Sequence, residues 1–168
     1  MNPIASKISD FLFPKFDRKH IIRLAVIAAV AFIYFGLICR PCYIQGESMM
    51  PTYGRNGLTF CWCPAYWLRK PKVGDIVIIR MTGYKVLLLK RIVALEGDTV
   101  AFKNGILHVN DKPLNETWKT LGPCDWNLPS RKVEEGCVYV VGDNRSMDME
   151  SHLFGQVPKG RILGVPTW

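Results

Sequence analysis

The sequence has few histidines and no dense run of basic residues. Only three histidines occur among 168 residues, and the formal charge of +8 is divided between the N-terminal flank and scattered lysines and arginines with acidic residues between them. Proteins that bind nucleic acid usually concentrate Lys and Arg in one patch or stripe. We therefore expect no nucleic-acid partner, and the excess positive charge suits the anionic headgroups of a lipid bilayer.

Charge is also nearly absent from a long apolar run at residues 21–39, in which Arg23 is the only charged residue. A helix needs roughly 20 apolar residues to cross about 30 Å of hydrocarbon, and an arginine near its end can reach the headgroups. We predict a single transmembrane helix. Two other interpretations stay open, a signal peptide cleaved after Ala29-Val30-Ala31 and a buried core helix.

Basic residues outnumber acidic residues on the N-terminal side of this run. The flank holds Lys7, Lys15, Arg18, Lys19 and Arg23, with only Asp10 and Asp17 as acids. The positive-inside rule keeps such a flank in the cytosol. We therefore expect a cytosolic flank (1–20), a transmembrane helix (21–39) and an extracytoplasmic domain (40–168) in a cell (inner) membrane.

Long helical periods are missing beyond residue 40. Short runs rich in β-branched and aromatic residues, separated by Gly, Pro and Asp, cover residues 58–63, 75–80, 85–94 and 136–141. Asn104-Gly105 between two such runs predicts a β-hairpin, because both turn positions tolerate positive φ, and Asn110-Asp111 starts another turn. We predict a mainly β fold, an antiparallel sheet behind one helix, with a loop-rich excursion at residues 115–135.

The six cysteines lack the spacing of a metal site. Cys61 and Cys63 alternate as in a strand and share one face, but no second Cys or His pair at zinc-site spacing accompanies them. In an oxidising compartment, Cys124 and Cys137 are candidates for a disulfide that closes a hairpin. We expect no metal and no cofactor.

The G-x-S-x-G motif of a nucleophile elbow is absent as well. Ser48 nevertheless lies between a flexible Gly-Glu and a bulky Met-Met, just beyond the apolar run. A serine hydroxyl is a weak nucleophile and needs a base nearby. A Ser/His/Asp triad of Ser48, His152 and Asp143 or Asp148 stays open.

Lys90 is the better candidate base. Strand alternation places Val86, Leu88, Lys90 and Ile92 on one face and Arg91 on the other. A lysine starts near pKa 10.4, and an apolar environment must lower its pKa by roughly 3 units, about 4 kcal/mol, before its amine accepts a proton at neutral pH. The alternative is a surface lysine that extends along an edge strand.

Four ordered segments resemble those of type I signal peptidases, the membrane-bound Ser/Lys endopeptidases. They are GESMMPTY (46–53), KVGDIVIIR (72–80), LLKRIVALEGDTV (88–100) and VVGDNRSMDMESHLFGQVP (140–158). The resemblance implies that Ser48 is the nucleophile and Lys90 the general base. It also implies an antiparallel β-domain at the membrane surface that removes signal peptides from exported preproteins.

The same resemblance assigns supporting roles around Ser48. The backbone N–H of Ser48 matches an oxyanion donor, and Met49 matches a residue that shapes the substrate cleft. Some relatives place a second, hydroxyl donor at the position of Gly46, so glycine there implies that any second donor lies elsewhere.

The C-terminal segment departs from the usual signature. Asp148 replaces the serine that normally orients the lysine, and a carboxylate there is expected to raise the pKa of Lys90. Glu150, followed by Ser151, keeps an acidic charge that can pair with Arg91. His152 replaces an arginine and can serve as a cation only at low pH.

Two residues of this segment, Asp143 and Asn144, are expected to fix the turn and to take no part in the chemistry. The altered signature leaves two alternatives open. One is a specialised peptidase of the same superfamily, such as the conjugative-transfer kind that matures pilins. The other is a non-catalytic pseudo-peptidase that binds exported segments without cutting them.

Overall fold

The computed structural model describes residues 17–81 and 87–167. The chain divides into two compact units, Met1–Leu37 and Ile38–Trp168. Most of the predicted cytosolic flank, residues 1–16, and Val86 of the predicted lysine face lie outside the described residues.

The first unit contains helix α1, Arg18–Ile33, which continues as one π-helical turn at Tyr34–Ile38. Asp17 caps its N-terminus by accepting a hydrogen bond from the Arg18 N–H at 2.8 Å. The 21 residues Arg18–Ile38 are long and apolar enough to cross a membrane. No residue of α1 is buried, so the alternative of a buried core helix is wrong.

The second unit is built from antiparallel strands. In chain order they are β1 (Cys39–Gln45), β2 (Asn56–Trp62), β3 (Ile76–Arg80), β4 (Leu87–Leu95), β5 (Thr99–Lys103), β6 (Ile106–Val109), β7 (Lys112–Pro113), β8 (Leu128–Lys132), β9 (Cys137–Val141), β10 (Gly155–Pro158) and β11 (Ile162–Pro166). Seven of them form one sheet in the order β1-β2-β11-β3-β4-β9-β10, and four form a second sheet in the order β7-β6-β5-β8. The predicted mainly β, antiparallel fold behind an apolar helix is confirmed.

Alternation along β4 sends its side chains into two different cores. Leu88 and Ile92 pack with Val77 of β3 in one cluster, whereas Leu89 packs with Met49 in another. Both faces of this central strand are therefore buried, which explains its almost continuous apolar sequence. The strand carries Lys90 and Arg91 between these two cores.

The predicted hairpin and the turn that follows it are confirmed. Asn104 and Gly105 have φ of 50° and 76°, and they join β5 to β6. Asn110 and Asp111 have φ of 53° and 61° and join β6 to β7. Only small or turn-forming residues adopt this left-handed region readily.

Five strands, β1, β7, β8, β10 and β11, escaped prediction, and β8 and β1 show why. β8 lies inside the supposed loop-rich excursion, and four of its five residues are exposed, so its polar sequence lacks the alternation of a half-buried strand. β1 was absorbed at its start into the apolar run, because the helix and the strand follow each other directly at Ile38 and Cys39. No change in residue composition marks the start of β8 or of β1.

All six cysteines are free thiols, so the predicted pairing of Cys124 and Cys137 is wrong for this structure. Cys124 lies against the turn of the β5–β6 hairpin, where its carbonyl closely approaches Gly105. Cys137 opens β9 and is buried in the core. Cys61 and Cys63 lie with their sulfur atoms 4.0 Å apart. The described residues contain no group of three or more His, Cys, Asp or Glu side chains arranged to hold a metal ion.

Candidate active site

Ser48 lies in the tight turn that connects β1 to β2. Gly46 enters this turn with φ of 112° and donates its N–H to the Arg55 carbonyl at 2.9 Å. The Met50 N–H donates to the Glu47 carbonyl at 3.0 Å, which closes the turn around Ser48. A side chain at Gly46 would force an unfavourable backbone conformation, so glycine shapes the path of the chain to the serine.

Ser48 is half-buried and opens onto a cleft with an empty volume of about 450 Å³, including its open mouth. The two residues predicted to support the serine, Gly46 and Met49, line the same cleft. Met49 is only 3% exposed and packs in the core beneath it. The remaining lining residues are Cys42, Tyr43, Ile44, Gln45, Thr59, Ile78, Leu87, Leu88 and Leu89. The walls are mostly apolar, which suits small apolar side chains of a peptide.

Lys90 is 1% exposed, so the alternative of an extended surface lysine is wrong. It lies opposite Val77 in the β3–β4 ladder, and its Nζ donates to the His152 carbonyl oxygen at 2.5 Å. Burial lowers the pKa of Lys90 to about 8, although the charge of Asp143 acts in the opposite direction. A substantial fraction of this amine is therefore neutral near physiological pH.

Arg91 points to the other side of β4 and is paired with Asp143. Its Nε and Nη2 donate to the two carboxylate oxygens at 2.8 and 2.6 Å, and its Nη1 donates to the Gly74 carbonyl at 2.9 Å. The guanidinium also stacks 4.7 Å from the ring centroid of Trp118. The expected pairing of Arg91 with Glu150 is wrong, because the Asp143 carboxylate accepts hydrogen bonds from both Nε and Nη2 of Arg91 in a bidentate geometry.

The loop that begins at Gly142 holds the Ser48 turn in place. The Asn144 N–H donates to the Ser48 carbonyl at 3.0 Å, and its side-chain amide donates to the Glu47 carbonyl at 3.1 Å. A Cβ at Gly142 would collide with the Ser48 carbonyl and with the His152 ring. Only glycine therefore permits this close approach of the loop to the serine turn.

His152 is fully buried and uncharged. Its Nε2 accepts a hydrogen bond from the Gly142 N–H at 2.8 Å, and its ring meets the Trp126 ring edge-on at 4.6 Å. Burial, together with the positive charges of Lys90 and Arg145, lowers the pKa of His152 to about 3. This agrees with the expectation that His152 is a cation only at low pH, and the neutral ring braces the loop through its acceptor nitrogen, because a charged imidazole would lose both its solvation and its acceptor role.

The same geometry removes the Ser/His/Asp alternative. The acceptor nitrogen of His152 is already occupied by Gly142, and the carboxylate of Asp143 is occupied by Arg91 and Thr52. No nitrogen of His152 is therefore poised to take a proton from Ser48.

Comparison with known proteins identifies the family to which this sequence is similar. Residues 18–168 match the family described as "Signal peptidase, peptidase S26". The chain belongs to this signal peptidase family. Membership confirms that it is a serine peptidase of the signal peptidase type, as the four sequence segments predicted.

Two similar family members come from photosynthetic organisms. The chain is 33% identical over 158 residues to the probable signal peptidase I-1 of Synechocystis sp., covering 89% of this chain and 80% of that protein. It is 36% identical over 143 residues to the probable thylakoidal processing peptidase 2, chloroplastic, of Arabidopsis thaliana, covering 80% of this chain and 39% of that protein. A crystal structure of a signal peptidase I from Enterococcus faecalis aligns with a TM-score of 0.41 at 26% identity, over 58% of this chain and 97% of that one.

One altered residue of the signal peptidase signature, His152, contacts Lys90 through its carbonyl oxygen, whereas Asp148 and Glu150 form no hydrogen bond with Lys90 among the described residues. Asp148 precedes the short 3-10 helix Met149–Ser151, which contains Glu150, and both acidic residues are exposed. The carboxylate that acts on the pKa of Lys90 is that of Asp143. The expectation that Asp148 stands beside Lys90 is therefore not met, and Ser151 is also exposed on the same turn.

Ser48 and Lys90 are attached to one loop but do not share a hydrogen bond in the described part of the chain. The loop carbonyl of His152 holds the lysine, and the loop amide of Asn144 holds the serine backbone. Catalytic hydrogen bonds are often long in a free enzyme and tighten when substrate binds. The structure thus brings the two predicted residues to a common support.

Sequence reasoning missed two functional contacts of this loop. Asn144 was assigned only to a turn, although it also donates two hydrogen bonds to the serine segment. The lysine partner was sought among side chains, whereas it is the backbone carbonyl of His152. The G-D-N run after an apolar strand was the available signal for Asn144, and no side-chain pattern signals a carbonyl.

Proposed function

We propose that this chain is a membrane-anchored signal peptidase in which the Ser48 hydroxyl is the nucleophile and Lys90 is the general base. The observation that carries the proposal is the burial of Lys90 among apolar side chains with its pKa lowered to about 8. A lysine is rarely buried without an acidic partner unless its neutral form is used. The proposed substrates are preproteins whose signal peptides it removes.

The hydrogen bond to His152 gives the lysine a defined orientation for this role. A neutral amine has two hydrogens and one lone pair. Donation of one hydrogen to the His152 carbonyl at 2.5 Å leaves the lone pair free to accept the Ser48 proton. The backbone carbonyl thus takes over the orienting task that the sequence signature gives to a serine side chain.

The reaction then follows acyl transfer. Neutral Lys90 takes the hydroxyl proton as Ser48 attacks the carbonyl carbon of the scissile peptide, and the Ser48 N–H stabilises the oxyanion. The resulting ammonium gives its proton to the leaving amine. Lys90, neutral again, activates the water that hydrolyses the Ser48 ester and releases the new C-terminus.

The test of this proposal is cleavage of a preprotein by the purified full chain in detergent. We expect Ser48→Ala to abolish cleavage and acyl-enzyme formation, and Lys90→Met to lower the rate by roughly 10²–10⁴-fold, the usual contribution of a general base. Lys103→Met on the second sheet is the matched control, because Lys103 is exposed. Undiminished cleavage by Ser48→Ala would refute the proposal, and so would equal rates for the two lysine variants.

We also propose that α1 anchors the chain with its N-terminus in the cytosol and residues 40–168 outside the cytoplasm. The basic residues at the start of the helix support this orientation, since Arg18, Lys19 and Arg23 lie at one end of the apolar segment. A membrane-impermeant protease added to intact cells or to outer-membrane-stripped cells is expected to digest a C-terminal tag. Protection of that tag would mean the opposite orientation.

A dedicated peptidase with few substrates is a second candidate. The exposed Asp148 and Glu150 and the neutral His152 all differ from the usual signature. Cleavage of one substrate encoded beside the gene, with none of several general preproteins, would favour it. A pseudo-peptidase is disfavoured by the buried lysine, and labelling of Ser48 by an acylating inhibitor above pH 8 would exclude it.

A further inference from the structure

The peptide unit between His152 and Leu153 carries the carbonyl oxygen that accepts the hydrogen bond from Lys90. The direction of this carbonyl is set by ψ of His152, which is −21°, and by φ of Leu153, which is 46°. A leucine rarely adopts this left-handed region, because its side chain crowds the backbone there. Such a conformation persists only where the surrounding structure fixes it. The contacts that hold these two residues therefore decide where the carbonyl points.

The side chain of Leu153 does not fix this conformation, because the residue is 58% exposed. The aromatic rings on either side of it in the sequence are both anchored on Trp126. The His152 ring meets the Trp126 ring edge-on with centroids 4.6 Å apart, and the Phe154 ring stacks on it with centroids 5.0 Å apart. The Trp126 Nε1–H donates to the Met147 carbonyl at 2.9 Å. The chain is therefore held on both sides of Leu153.

The imidazole of His152 adds a polar anchor to this apolar packing. Its Nε2 accepts the Gly142 N–H at 2.8 Å. Gly142 in turn lies so close to the Ser48 carbonyl that a Cβ at this position would collide with it. One hydrogen bond thus connects the residue whose carbonyl holds Lys90 to the loop that supports the Ser48 turn.

This hydrogen bond also fixes the tautomer of His152. A nitrogen that accepts carries no hydrogen, so the proton of the neutral ring is on Nδ1. Nδ1 is buried and has no hydrogen-bond partner among the described residues, and a buried donor without a partner requires an explanation. The acceptor at Nε2 supplies one. Lys90 and Arg145 place positive charge near the ring, and a cationic side chain there could not accept from Gly142.

We propose that His152 is a positioning residue for the general base, in which the Nε2 acceptor of the neutral imidazole keeps the His152 carbonyl turned toward the Lys90 amine. The inference rests on the proposed peptidase function, because it concerns the base of that reaction. His152 acts through Lys90 and does not exchange a proton with the substrate.

The first experiment measures kcat and KM for preprotein cleavage by the purified full chain in detergent. His152→Phe keeps an aromatic ring and removes the acceptor, so kcat should fall by roughly 10²-fold, the effect of about 1 Å of misplacement at a reacting group. KM should stay near the wild-type value, because His152 is not among the described residues that line the Ser48 cleft. His152→Gln places an amide oxygen near the position of Nε2 and should recover most of the lost rate.

His152→Asn is the matched counterpart of His152→Gln, because its shorter side chain places the amide oxygen near the position of Nδ1, out of reach of the Gly142 N–H. It should be as slow as His152→Phe, and it replaces that variant if His152→Phe does not fold. His108→Phe on β6 is the control and should keep the wild-type kcat. A ring that only filled space would be replaced best by phenylalanine. Wild-type kcat in His152→Phe, or equal kcat in His152→Gln and His152→Asn, would therefore overturn the inference.

The second experiment reads the tautomer directly and does not depend on activity. The chain has only two other histidines, His20 and His108, so the ¹⁵N signals that disappear in His152→Gln belong to His152. We expect a protonated Nδ1 and a bare Nε2 that do not change between pH 5 and pH 8, because the pKa of His152 is lowered to about 3. A proton on Nε2, or titration near pH 6.5, would contradict the inference. Failure of the peptidase proposal is distinct, since it would appear as cleavage by Ser48→Ala or as no cleavage by the wild type.

Discussion

The two faces of β4 give two neighbouring basic residues, Lys90 and Arg91, opposite electrostatic environments. Lys90 faces a core in which the His152 carbonyl oxygen is its hydrogen-bond partner among the described residues, and burial lowers its pKa. Arg91, one residue later, is also buried, but Asp143 pairs with it through two hydrogen bonds. One strand thus carries a cation that can lose its charge and a cation that keeps it.

The contrast shows how one strand can carry a lysine that can become neutral next to an arginine that stays charged and stabilises the fold. A buried charge needs a partner of opposite sign, and without one the group gives up its charge. Arg cannot do so, because its pKa is too high, whereas Lys can. Strand alternation keeps the two surroundings apart while the residues remain adjacent in sequence.

The largest expected effect on stability comes from removing the ion pair between Arg91 and Asp143. Arg91→Met leaves the fully buried Asp143 without its cation, and the free energy of unfolding should fall by about 3–5 kcal/mol. Lys90→Met removes an ammonium that burial disfavours, so the free energy of unfolding near neutral pH should not fall. Denaturant unfolding of the full chain in detergent checks both predictions.

The double variant Arg91→Met with Asp143→Leu is the control, because it removes both charges and should recover most of the lost stability. Similar losses for Arg91→Met and Lys90→Met would show that the two faces do not differ in the way their contacts indicate.

The environment of Lys90 on β4 should make cleavage faster at basic pH. If neutral Lys90, with its pKa of about 8, is the proposed general base, kcat/KM should rise about tenfold per pH unit below pH 8 and level off above it. A pH–rate profile of the wild type with a signal-peptide substrate measures the midpoint. A midpoint near 10 would mean that the lysine is not desolvated in solution.

The same pKa predicts a change in stability. Lys90 has an ordinary pKa of 10.5 when unfolded and one of about 8 when folded, so between these values the unfolded chain binds more protons. The free energy of unfolding should therefore rise as the pH increases from about 8 to 10.5. This gain in stability should be lost as the pH falls back to 8. The difference between the wild type and Lys90→Met isolates this contribution from other titrating groups.

The apolar face on which Lys90 lies was predictable from sequence because it is set locally, whereas the burial of Lys90 depends on β4 being a central strand, between β3 and β9. A period of two among Leu88, Lys90 and Ile92 places the lysine on an apolar face whatever the rest of the fold does. The Asn104-Gly105 hairpin was predictable for the same reason, since the turn needs only its own two residues. Selecting Ser48 as the proposed nucleophile needed four ordered segments, because one serine in a turn is common.

Long-range pairings were not predictable in the same way. The expected partner of Arg91 was Glu150, whereas the structure pairs it with Asp143, and both acids lie more than 50 residues away along the chain. The choice depends on where the loop after β9 approaches β4, which the close contact at Gly142 decides. The partner of Lys90 is a backbone atom, so the identity of the side chains in the signature gave no information about it.

The smallest expected effect concerns Asp148, and it sharpens the comparison by showing which acid reaches the lysine. Asp148 is exposed, so solvent and salt screen its charge, and Asp148→Ser should move the midpoint of the pH–rate profile by less than about 0.2. Asp143 raises the pKa of Lys90, so Asp143→Asn should move the midpoint to lower pH while the amide oxygen still accepts from Arg91. Glu150→Gln, on the same exposed turn, is the matched control for Asp148→Ser. A clear acidic shift in Asp148→Ser alone would mean that the turn brings its carboxylate to Lys90 when substrate binds, and the two faces of β4 would then not be electrostatically separate during catalysis.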